Sequence, residues 1–309
     1  MLQLLDLAGI YFRAFFAVPA STVGPHGKPV NAIRGTLDIM ARVIGEARPT
    51  RVVACQDFDW RPAWRVELMP TYKSHRVQQS TPGPDQPDVE LVPDELSAQV
   101  PILLDVLAAI GIAAVGADHC EADDVIGTMA FRESRDPVEV VTGDRDLFQV
   151  VTDGPPAVTV RYIGAGMSKA MVYDTAAVQH RFGVPASGYA DYATLRGDAS
   201  DGLPGVAGIG DKTAAALITR FGSIAGVLQA LDSADSALAS GPRRKLELAR
   251  DYLAVAPAVV AVRTDADVQL IGDGALPTSP ADPDRLAQLV ADHGIGGSTQ
   301  RLLAVLDRS

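Results

Sequence analysis

Cysteine and long apolar runs are scarce in this chain of 309 residues, and their scarcity excludes several kinds of protein. The two cysteines, Cys55 and Cys120, form neither a CxxC pair nor a zinc pattern, which argues against a disulfide scaffold and favours a reducing cytosol. The most apolar later stretch, residues 102–117, is too short to span a membrane and contains Asp105. Because no basic stretch precedes the apolar N-terminus, a signal peptide is not indicated. We therefore expect a soluble protein with no membrane partner.

Histidine is also sparse. The five histidines are scattered and no Gly-x-Ser-x-Gly elbow is present, so Ser-His-Asp chemistry is not supported. His119 and Cys120 precede Glu121 and suggest a soft-metal site, but no second Cys/His pair accompanies them. We therefore interpret His119 and Cys120 as packing residues.

Positive charge is in deficit: 27 lysines and arginines face 38 aspartates and glutamates, a formal net charge of −11. This balance is unusual for a protein that binds nucleic acid, because phosphate neutralisation by basic groups drives such binding. Distribution matters more than the sum, however, and two segments are locally basic: Arg61, Arg65, Lys73 and Arg76, and Arg243, Arg244, Lys245 and Arg250. Both are compatible with a local nucleic-acid footprint and equally with solvated surface.

Short apolar runs alternate with helical patterns over the first half of the chain. The predicted strands are residues 2–7, 51–54, 112–115, 138–141 and 158–163, and the predicted helices between them are 33–44, 102–110 and 122–131. This alternation predicts an α/β fold with a mostly parallel, doubly wound sheet. Residues 80–93 are rich in Pro, Gly and Asp and are typical of a loop. From about residue 173 helices dominate, so we expect an α/β core at 1–172 and a helical region at 173–309.

Acidic residues follow four of the predicted strands. In parallel sheets, sites form beyond the carboxyl ends of the strands, so these side chains are expected to converge on one edge. Carboxylates suit Mg²⁺ or Mn²⁺, and because two like charges about 4 Å apart repel by roughly 4 kcal/mol even at an effective dielectric near 20, such a cluster requires cations. Two bound ions would support an in-line displacement at phosphorus. The residues are Asp6, Asp57, Glu121, Asp123, Asp124, Asp144 and Asp146.

Taken alone, Glu121, Asp123 and Asp124 are each better explained as helix-start residues, because the helix dipole and N-capping favour Asp and Glu there, and Asp144 and Asp146 are equally compatible with capping the helix near Leu147. That explanation weakens for the set, since capping does not require acids at every strand end. It also leaves Asp198 and Asp201 unexplained, which lie in a glycine-flanked loop.

A glycine-rich segment, residues 203–213, precedes an alanine-rich helix. Gly208 and Gly210 permit a tight turn that presents backbone N–H groups at a helix N-terminus, with Lys212 one turn inside. A P-loop is excluded because Asp211 separates Gly210 from Lys212, and a dinucleotide fingerprint fails at Thr213. A helix-hairpin-helix that binds one DNA backbone and a ligand-free helix turn both remain open.

Six motifs in this order resemble the bacterial flap endonuclease and 5′-3′ exonuclease family, which includes the 5′-nuclease domain of DNA polymerase I. The resemblance extends from about residue 4 to residue 252. It implies a PIN-like or resolvase-like core, a helical arch at about 60–93 and a helix-hairpin-helix at about 198–220. The motifs are residues 13–17 (RAFFA), 72–76 (YKSHR), 120–128 (CEADDVIGT), 142–147 (TGDRDL), 197–205 (GDASDGLPG) and 208–213 (GIGDKT).

The resemblance also implies roles for individual residues. One divalent ion is served by Asp6, Asp57, Glu121, Asp123 and Asp124, and a second by Asp144, Asp146, Asp198 and Asp201. Tyr72, Lys73 and Arg76 belong to the arch, where the two basic groups steer the scissile phosphate and the Tyr72 ring can stack on a base. For Tyr72 alone, packing against the arch helix is the commoner role. The hairpin binds duplex DNA, with a K⁺ ion as a further possibility, through Gly205, Gly208, Gly210, Lys212 and Thr213.

Two departures from the family pattern affect the first ion. Leu7 and Ala8 stand between Asp6 and Gly9, where the family has glycine directly after the aspartate. The spacing to Tyr72 also leaves Asp59 as an alternative to Asp57, which we prefer because it follows the strand immediately.

The function implied is a structure-specific 5′-nuclease that cuts 5′ flaps and 5′ ends of DNA in replication and repair. We expect a stand-alone, monomeric form, cytoplasmic and associated with the nucleoid, acting on flaps, nicks, gaps and RNA–DNA primer segments. Two alternatives remain open: a catalytically silent flap-binding protein and a PIN-like ribonuclease.

Overall fold

The structure is a computed structural model that describes residues 1–78, 88–233 and 235–307. Most of the predicted loop at residues 80–93 lies outside the described residues. The strands are β1 (Leu2–Asp6), β2 (Arg51–Cys55), β3 (Ala113–Val115), β4 (Val138–Thr142), β5 (Val158–Tyr162) and β6 (Met171–Tyr173). The first eight helices are α1 (Leu7–Ala17), α2 (Asn31–Ala47), α3 (Ala63–Leu68), α4 (Asp94–Ser97), α5 (Val100–Ile110), α6 (Ala122–Arg132), α7 (Thr175–Phe182) and α8 (Tyr189–Arg196). The remaining helices are α9 (Asp211–Phe221), α10 (Ile224–Asp232), α11 (Ser240–Leu248), α12 (Arg250–Val260), α13 (Pro283–His293) and α14 (Gly296–Leu306).

The six strands form one sheet in the order β3-β2-β1-β4-β5-β6, in which only the β5–β6 pair is antiparallel. The predicted α/β fold with a mostly parallel sheet is confirmed. Strand order reverses between β1 and β4, because β2 and β3 lie on one side of β1 and the later strands on the other. Ligand sites in open parallel sheets form beyond the carboxyl ends of the strands at such a reversal.

The central strands are apolar because helices cover both faces of the sheet. All five residues of β1 are buried, and Leu4 pairs in register with Val53 of β2 and Val140 of β4. Alternate residues feed two separate apolar cores, with Leu4 in one and Leu5 in the other. This arrangement fixes the ends of β1, β2 and β4 next to one another at one edge of the sheet.

Helix α1 and strand β6 are among the elements that were not predicted from the sequence. Helix α1 begins directly after β1, with Asp6 as its N-cap, so the chain turns from strand to helix without a connecting loop. Strand β6 has only three residues and pairs antiparallel at the sheet edge, and such a short element gives no period that a sequence pattern can reveal.

The later helices divide between two locations. Helices α7 to α12 pack on the sheet core around an aromatic cluster that joins Phe148 to Phe182 and Tyr189. Helices α13 and α14 return to the other face, where Leu302 is buried against the core that contains α2 and Arg301 forms an ion pair with Asp38. The predicted division at residues 172 and 173 stays a prediction.

No single helix of the described residues is long and apolar enough to cross a membrane; α9 and α10 pass a length and composition test only as a pair bent by 79°.

Candidate metal centre and DNA-binding hairpin

The acidic residues expected at the strand ends are placed there by the fold. Asp6 ends β1, and Asp144 follows β4 after Gly143, so the two lie on either side of the strand-order reversal. One cavity of about 220 Å³ is lined by Asp6, Asp57, Glu121, Asp123 and Asp144 together with Lys73 and Arg76. The predicted convergence of sequence-distant acids on one edge is therefore present in the fold.

A chain of hydrogen bonds connects the ends of β1 and β4. The Thr142 hydroxyl donates to Asp6 Oδ2 at 2.8 Å and accepts from the Asp144 N–H at 2.8 Å, while Asp144 Oδ1 accepts from the Asp146 N–H at 2.8 Å. Asp6 Oδ1 accepts from the Gly9 N–H at 2.8 Å, and a Cβ at Gly9 would collide with the Asp6 carboxylate. Gly9 is thus the glycine that Asp6 requires, although two residues separate them in sequence.

Asp57 lies on the cavity wall and Asp59 does not. Asp57 Oδ1 accepts a hydrogen bond from the Ala122 N–H at 2.6 Å, which ties the end of β2 to the start of α6. Asp59 turns back on its own loop, where its carboxylate accepts from the Arg61 N–H at 3.1 Å. This geometry favours Asp57 over Asp59 as the residue available to a ligand.

Asp124 is separated from the open side of the cluster by its own partners. The side chain is fully buried, and the Arg65 guanidinium binds both of its carboxylate oxygens at 2.7 Å. The Arg263 N–H adds a bond to Oδ1 at 2.9 Å, and the Glu121 N–H adds one to Oδ2 at 3.2 Å. The structure therefore brings Asp124 to Arg65 and not to the cavity, unlike the role that the resemblance implied.

Glu121 is held by cations on both oxygens. Its Oε2 accepts from Arg65 Nη1 and from the Tyr72 hydroxyl, each at 2.6 Å, and its Oε1 forms an ion pair with Lys73. Arg65 Nε also donates to the Val259 carbonyl at 3.0 Å, so this buried guanidinium joins α3, α6 and α12. In the sequence Arg65 was only one member of a basic segment, and its structural role had no sequence signal.

The predicted arch residues lie against the acidic edge. Tyr72 is buried, with its hydroxyl on Glu121, and its neighbour Lys73 enters the cavity. Arg76 Nη2 donates to the Ser200 carbonyl at 2.7 Å and to Asp201 Oδ1 at 3.3 Å. The Lys73 N–H also donates to the Asp201 carbonyl at 2.9 Å, so the base of the arch is fastened to the loop that carries Asp198 and Asp201.

Burial and mutual repulsion disfavour the ionised carboxylates at this edge. Burial raises the pKa of Asp6 and of Asp144, and burial together with Asp144 raises the pKa of Asp123 and of Asp146 well above the ordinary range. Burial and the nearby Glu121 carboxylate raise the pKa of Asp57 to about 7. A pocket of this kind gains stability from positive charge.

Lys73 supplies such charge from within the chain. Burial disfavours its ammonium group, but Glu121 and Asp201 outweigh burial and raise the pKa of Lys73 well above its usual value. Within residues 1–78, 88–233 and 235–307, no three acidic, histidine or cysteine side chains stand close enough to hold one metal ion. Asp146 Oδ1, however, is buried without a hydrogen-bond partner. Hard oxygen donors and an unpartnered buried oxygen fit divalent cations, provided that side chains such as Lys73 move.

The glycine-rich segment forms a turn between α8 and α9. Gly208 has a φ of +77°, which only glycine adopts readily, and Gly210 caps α9 with open space where a side chain would stand. Gly205 has a different function, because a Cβ there would meet the Arg196 backbone. Lys212 is exposed on the first turn of α9, followed by the half-buried Thr213, and the Lys245 ammonium donates to the Gly208 carbonyl at 2.7 Å.

Most of the second basic segment has internal partners. The Arg243 guanidinium donates to the carbonyls of Leu231 and Leu238, each at 3.3 Å, and Arg250 pairs with Asp232 at 2.8 Å. Lys245 reaches the hairpin, and Arg244 is exposed. Of this segment, therefore, Lys245 lies at the hairpin and Arg244 is exposed beside it.

Sequence comparison with known proteins decides the family. The model of the 5′-3′ exonuclease N-terminal resolvase-like domain matches residues 1–183, and the model of the 5′-3′ exonuclease C-terminal SAM fold matches residues 184–283. The chain belongs to the 5′-3′ exonuclease family. Among relatives of this exonuclease family, a 5′-3′ exonuclease of Mycobacterium tuberculosis is 50% identical over 99% of this chain and 98% of its own length. A 5′-3′ exonuclease of Streptomyces coelicolor is 52% identical over 98% of this chain and 99% of its own length.

The same membership links the chain to longer proteins and to solved structures. DNA polymerase I of M. tuberculosis is 36% identical over 75% of this chain, which corresponds to 24% of the polymerase. The T5 D15 protein co-crystallised with metal ions has the same fold, with a TM-score of 0.60 at 15% identity and 99% coverage of both chains. The predictions of this 5′-3′ exonuclease family and of a 5′-nuclease are confirmed.

Proposed function

We propose that this exonuclease cuts DNA at 5′ flaps and 5′ ends, and that its carboxylate edge is the catalytic centre. The observation that supports the proposal most strongly is the convergence of Asp6, Asp57, Asp123 and Asp144 on one cavity at the strand-order reversal. That cavity lies beside the base of the arch. Replication and repair of chromosomal DNA, in the cytoplasm and at the nucleoid, is the setting we propose for this activity.

Two Mg²⁺ or Mn²⁺ ions are the cofactors we propose, consistent with the metal ions in the T5 D15 structure. Asp6, Asp57, Glu121 and Asp123 would hold one, and Asp144, Asp146, Asp198 and Asp201 the other. When bound, such ions stabilise the charge on the attacking and leaving oxygens of an in-line displacement. We assign Asp124 to the positioning of Arg65 and Glu121, because its oxygens already have four hydrogen bonds.

Lys73 and Arg76 are proposed to act on the scissile phosphate. Both line the cavity, and both are bonded to acids in the present arrangement: Lys73 to Glu121 and Arg76 to Asp201. Binding of divalent cations by those acids would release the two basic side chains toward the phosphate. Tyr72 is buried and bonded to Glu121, so we propose that it positions Glu121, and the base-stacking role that the resemblance implied stays a prediction.

The hairpin is proposed to bind one backbone of duplex DNA through the N–H groups around Gly208 and Gly210, next to Lys212 and Thr213. The T5 D15 enzyme and the human GEN1 protein, whose fold is similar with a TM-score of 0.63 at 15% identity over 99% of this chain and 71% of GEN1, have both been solved with DNA. The family resemblance also suggested a K⁺ ion at the hairpin. Because the Gly208 carbonyl accepts from Lys245, we propose that this ammonium group takes the place of K⁺.

A comparison of substrates tests the proposal against its two alternatives. We expect the protein with Mg²⁺ to cleave a labelled 5′-flap DNA, and to cleave a flap that ends in an RNA primer segment, at least tenfold faster than an all-RNA hairpin of equal length. Binding of the flap without cleavage at any Mg²⁺ or Mn²⁺ concentration would indicate a catalytically silent protein. A preference for the RNA hairpin would indicate a PIN-like ribonuclease.

Sedimentation with and without flap DNA tests the expected monomer.

A further inference from the structure

A polar cleft of about 320 Å³ opens next to the acidic edge, outside the cavity described above. One wall is the turn after β4, with Asp144 and Arg145, and the other is the loop after α8, with Arg196 and Asp198. Tyr162, the last residue of β5, also lines the cleft. Two arginine side chains thus face one space from opposite walls.

Neither arginine has a carboxylate at hydrogen-bond distance in the described part of the chain. The one side-chain bond of Arg145 is from Nε to the Tyr162 hydroxyl at 3.4 Å. Arg196 Nε is buried with no hydrogen-bond partner, and its nearest carboxylate oxygen, Asp211 Oδ1, is 3.9 Å away. By contrast, Arg65 and Arg76 are bonded directly to acids. In a chain with 38 acidic residues, two guanidinium groups in one cleft that make no hydrogen bond to a carboxylate of the described residues leave donors free for an external anion.

The guanidinium groups of Arg145 and Arg196 also lie near the same buried side chain, Tyr189. Burial raises the pKa of Tyr189, and Arg196 and Arg145 both oppose that rise, so both guanidinium groups lie within electrostatic range of one phenol. Asp144 and Asp198 line the same cleft and would repel an anion. An anion that entered the cleft alone would therefore be held weakly, whereas a phosphate in a longer chain would be brought there by its neighbours.

The cleft lies on the path between two sites already proposed. Asp144 belongs to the catalytic edge, and Arg196 ends α8, after which the chain continues into the hairpin with Gly208 and Gly210. Asp144 lines both this cleft and the catalytic cavity, and Arg196 Nε lies 3.9 Å from Asp211 Oδ1 at the start of α9. We therefore expect a DNA strand that is cut at the edge and held at the hairpin to pass this cleft. Guanidinium groups bind phosphate oxygens through charge-assisted hydrogen bonds, without reading the base sequence.

We propose that Arg145 and Arg196 form a subsite for one backbone phosphate of the duplex beside the bond that is cut. The proposal rests on the proposed nuclease function and adds two residues to it. It predicts that this phosphate contributes to affinity and placement in any sequence context. If the two arginines only offset the charge of neighbouring acids, their replacement will not change the contribution of any single DNA phosphate to binding.

The test combines arginine variants with neutral phosphates. Single methylphosphonates are placed at successive positions of the cut strand, on the duplex side of a 5′-flap DNA, and Kd is measured by fluorescence anisotropy in EDTA, where no cleavage occurs. The proteins are the wild type, Arg145→Gln, Arg196→Gln and the double variant. Arg48→Gln is the matched control, because Arg48 is exposed at the C-cap of α2, in the turn that leads into β2, and so lies away from the carboxyl ends of the strands.

At one position we expect the neutral phosphate to weaken wild-type binding about tenfold and to leave the double variant unchanged. The slope of log K against log salt should fall by about 1 in the double variant, because one phosphate contact is lost. The subsite is ruled out if every methylphosphonate weakens the wild type and the variants equally, or if all variants match Arg48→Gln. Because Arg145 is exposed, its single variant keeps the test decisive even if Arg196→Gln folds poorly. Failure of the wild type to bind the flap in EDTA and to cut it with Mg²⁺ would instead contradict the proposed function.

Discussion

The carboxylates at the edge of the sheet fall into two groups, which differ in whether the side chain faces the cavity or is enclosed by its hydrogen-bond partners. Asp6 caps a helix and also faces the cavity, so the helix-start explanation and the site explanation both hold for it. Asp124 has a capping bond to the Glu121 N–H and an ion pair with Arg65, but no face on the cavity. Glu121 and Asp124 therefore differ although they lie three positions apart in one motif: Glu121 lines the cavity and Asp124 does not.

Removal of Asp124 should act on stability first. Asp124→Ala leaves the Arg65 guanidinium buried with half of its ion pairs lost, and we expect the free energy of unfolding to fall by about 3–5 kcal/mol. Urea denaturation measures this loss. Asp105→Ala, which breaks an exposed pair with Arg285, is the matched control and should cost less than about 1 kcal/mol. Unchanged stability combined with lost cleavage would instead show that Asp124 serves a metal ion.

For individual residues, the sequence predicted which acids lie at the edge of the sheet but not the side chains that bond to them. The positions of Asp6, Asp57 and Asp144 followed from strand ends. The link through Thr142, the buried bonds of Arg65 and the contact of Gly9 with Asp6 depend on side chains from distant elements. No spacing rule within one segment encodes such contacts.

Among the elements, the base of the arch is the one that we propose connects the DNA substrate with the catalytic centre. Lys73 and Arg76 reach the acidic edge from the segment that follows α3. We expect Lys73→Ala or Arg76→Ala to slow the single-turnover cleavage rate by about 100-fold, while Kd for the flap changes less than about threefold. Rapid-quench kinetics and anisotropy separate the two quantities.

His75→Ala is the matched control for the arch variants, since His75 is exposed on the same turn and should leave both quantities unchanged. An effect of Lys73→Ala or Arg76→Ala confined to Kd would show that these side chains only anchor phosphate.

The hairpin makes a separate prediction about monovalent ions. Because the Lys245 ammonium already binds the Gly208 carbonyl, we expect wild-type DNA affinity to be equal in KCl and LiCl at the same ionic strength. Lys245→Ala should weaken binding by about 1 kcal/mol, roughly fivefold in Kd, and Arg244→Gln, an exposed neighbour, should change it less. Anisotropy titrations measure both. A wild-type affinity that rises only with K⁺ would place that ion at the hairpin.

Long periodic elements were predicted from the sequence, whereas the aromatic helix α1 and the edge strand β6 were not. Helix α2 and strands β1, β2 and β4 matched closely because their apolar residues repeat with a clear period. Strand β6 is too short for a period to appear. The packing of α14 on α2 depends on contacts between chain segments more than 200 positions apart, such as Arg301 with Asp38.

Over the whole molecule, the acidic edge makes stability depend on pH and on cations. Burial raises the folded-state pKa of Asp6, Asp123, Asp144 and Asp146, and burial with Glu121 raises that of Asp57 to about 7. A raised carboxyl pKa means that the folded state binds more protons than the unfolded state. The stabilisation is complete below the unfolded pKa, about 3.9, and is lost as pH rises through the folded values.

We therefore expect Tm in EDTA to fall between pH 6 and pH 8, and the fall to disappear in Mg²⁺ or Mn²⁺, because cations favour the ionised carboxylates. Differential scanning fluorimetry at fixed ionic strength measures both curves, and Asp146→Asn should flatten the curve in EDTA. Glu133, whose pKa is lowered by its hydrogen bonds with Arg135 and Arg51 although burial opposes them, acts only at lower pH. A Tm that rises between pH 6 and pH 8 in EDTA would contradict the raised pKa values of these clustered carboxyl groups.

Cleavage of a 5′-flap DNA with the products mapped to the nucleotide tests the central claim, the carboxylate edge as a metal-dependent 5′-nuclease centre. The wild type and Asp144→Asn are compared as Mg²⁺ or Mn²⁺ is added from zero. We predict that the wild type cuts near the flap base, leaves a 5′-phosphate and requires the ion, while Asp144→Asn binds the flap and does not cut. Cleavage without divalent ions, or unchanged cleavage by Asp144→Asn, would contradict the account.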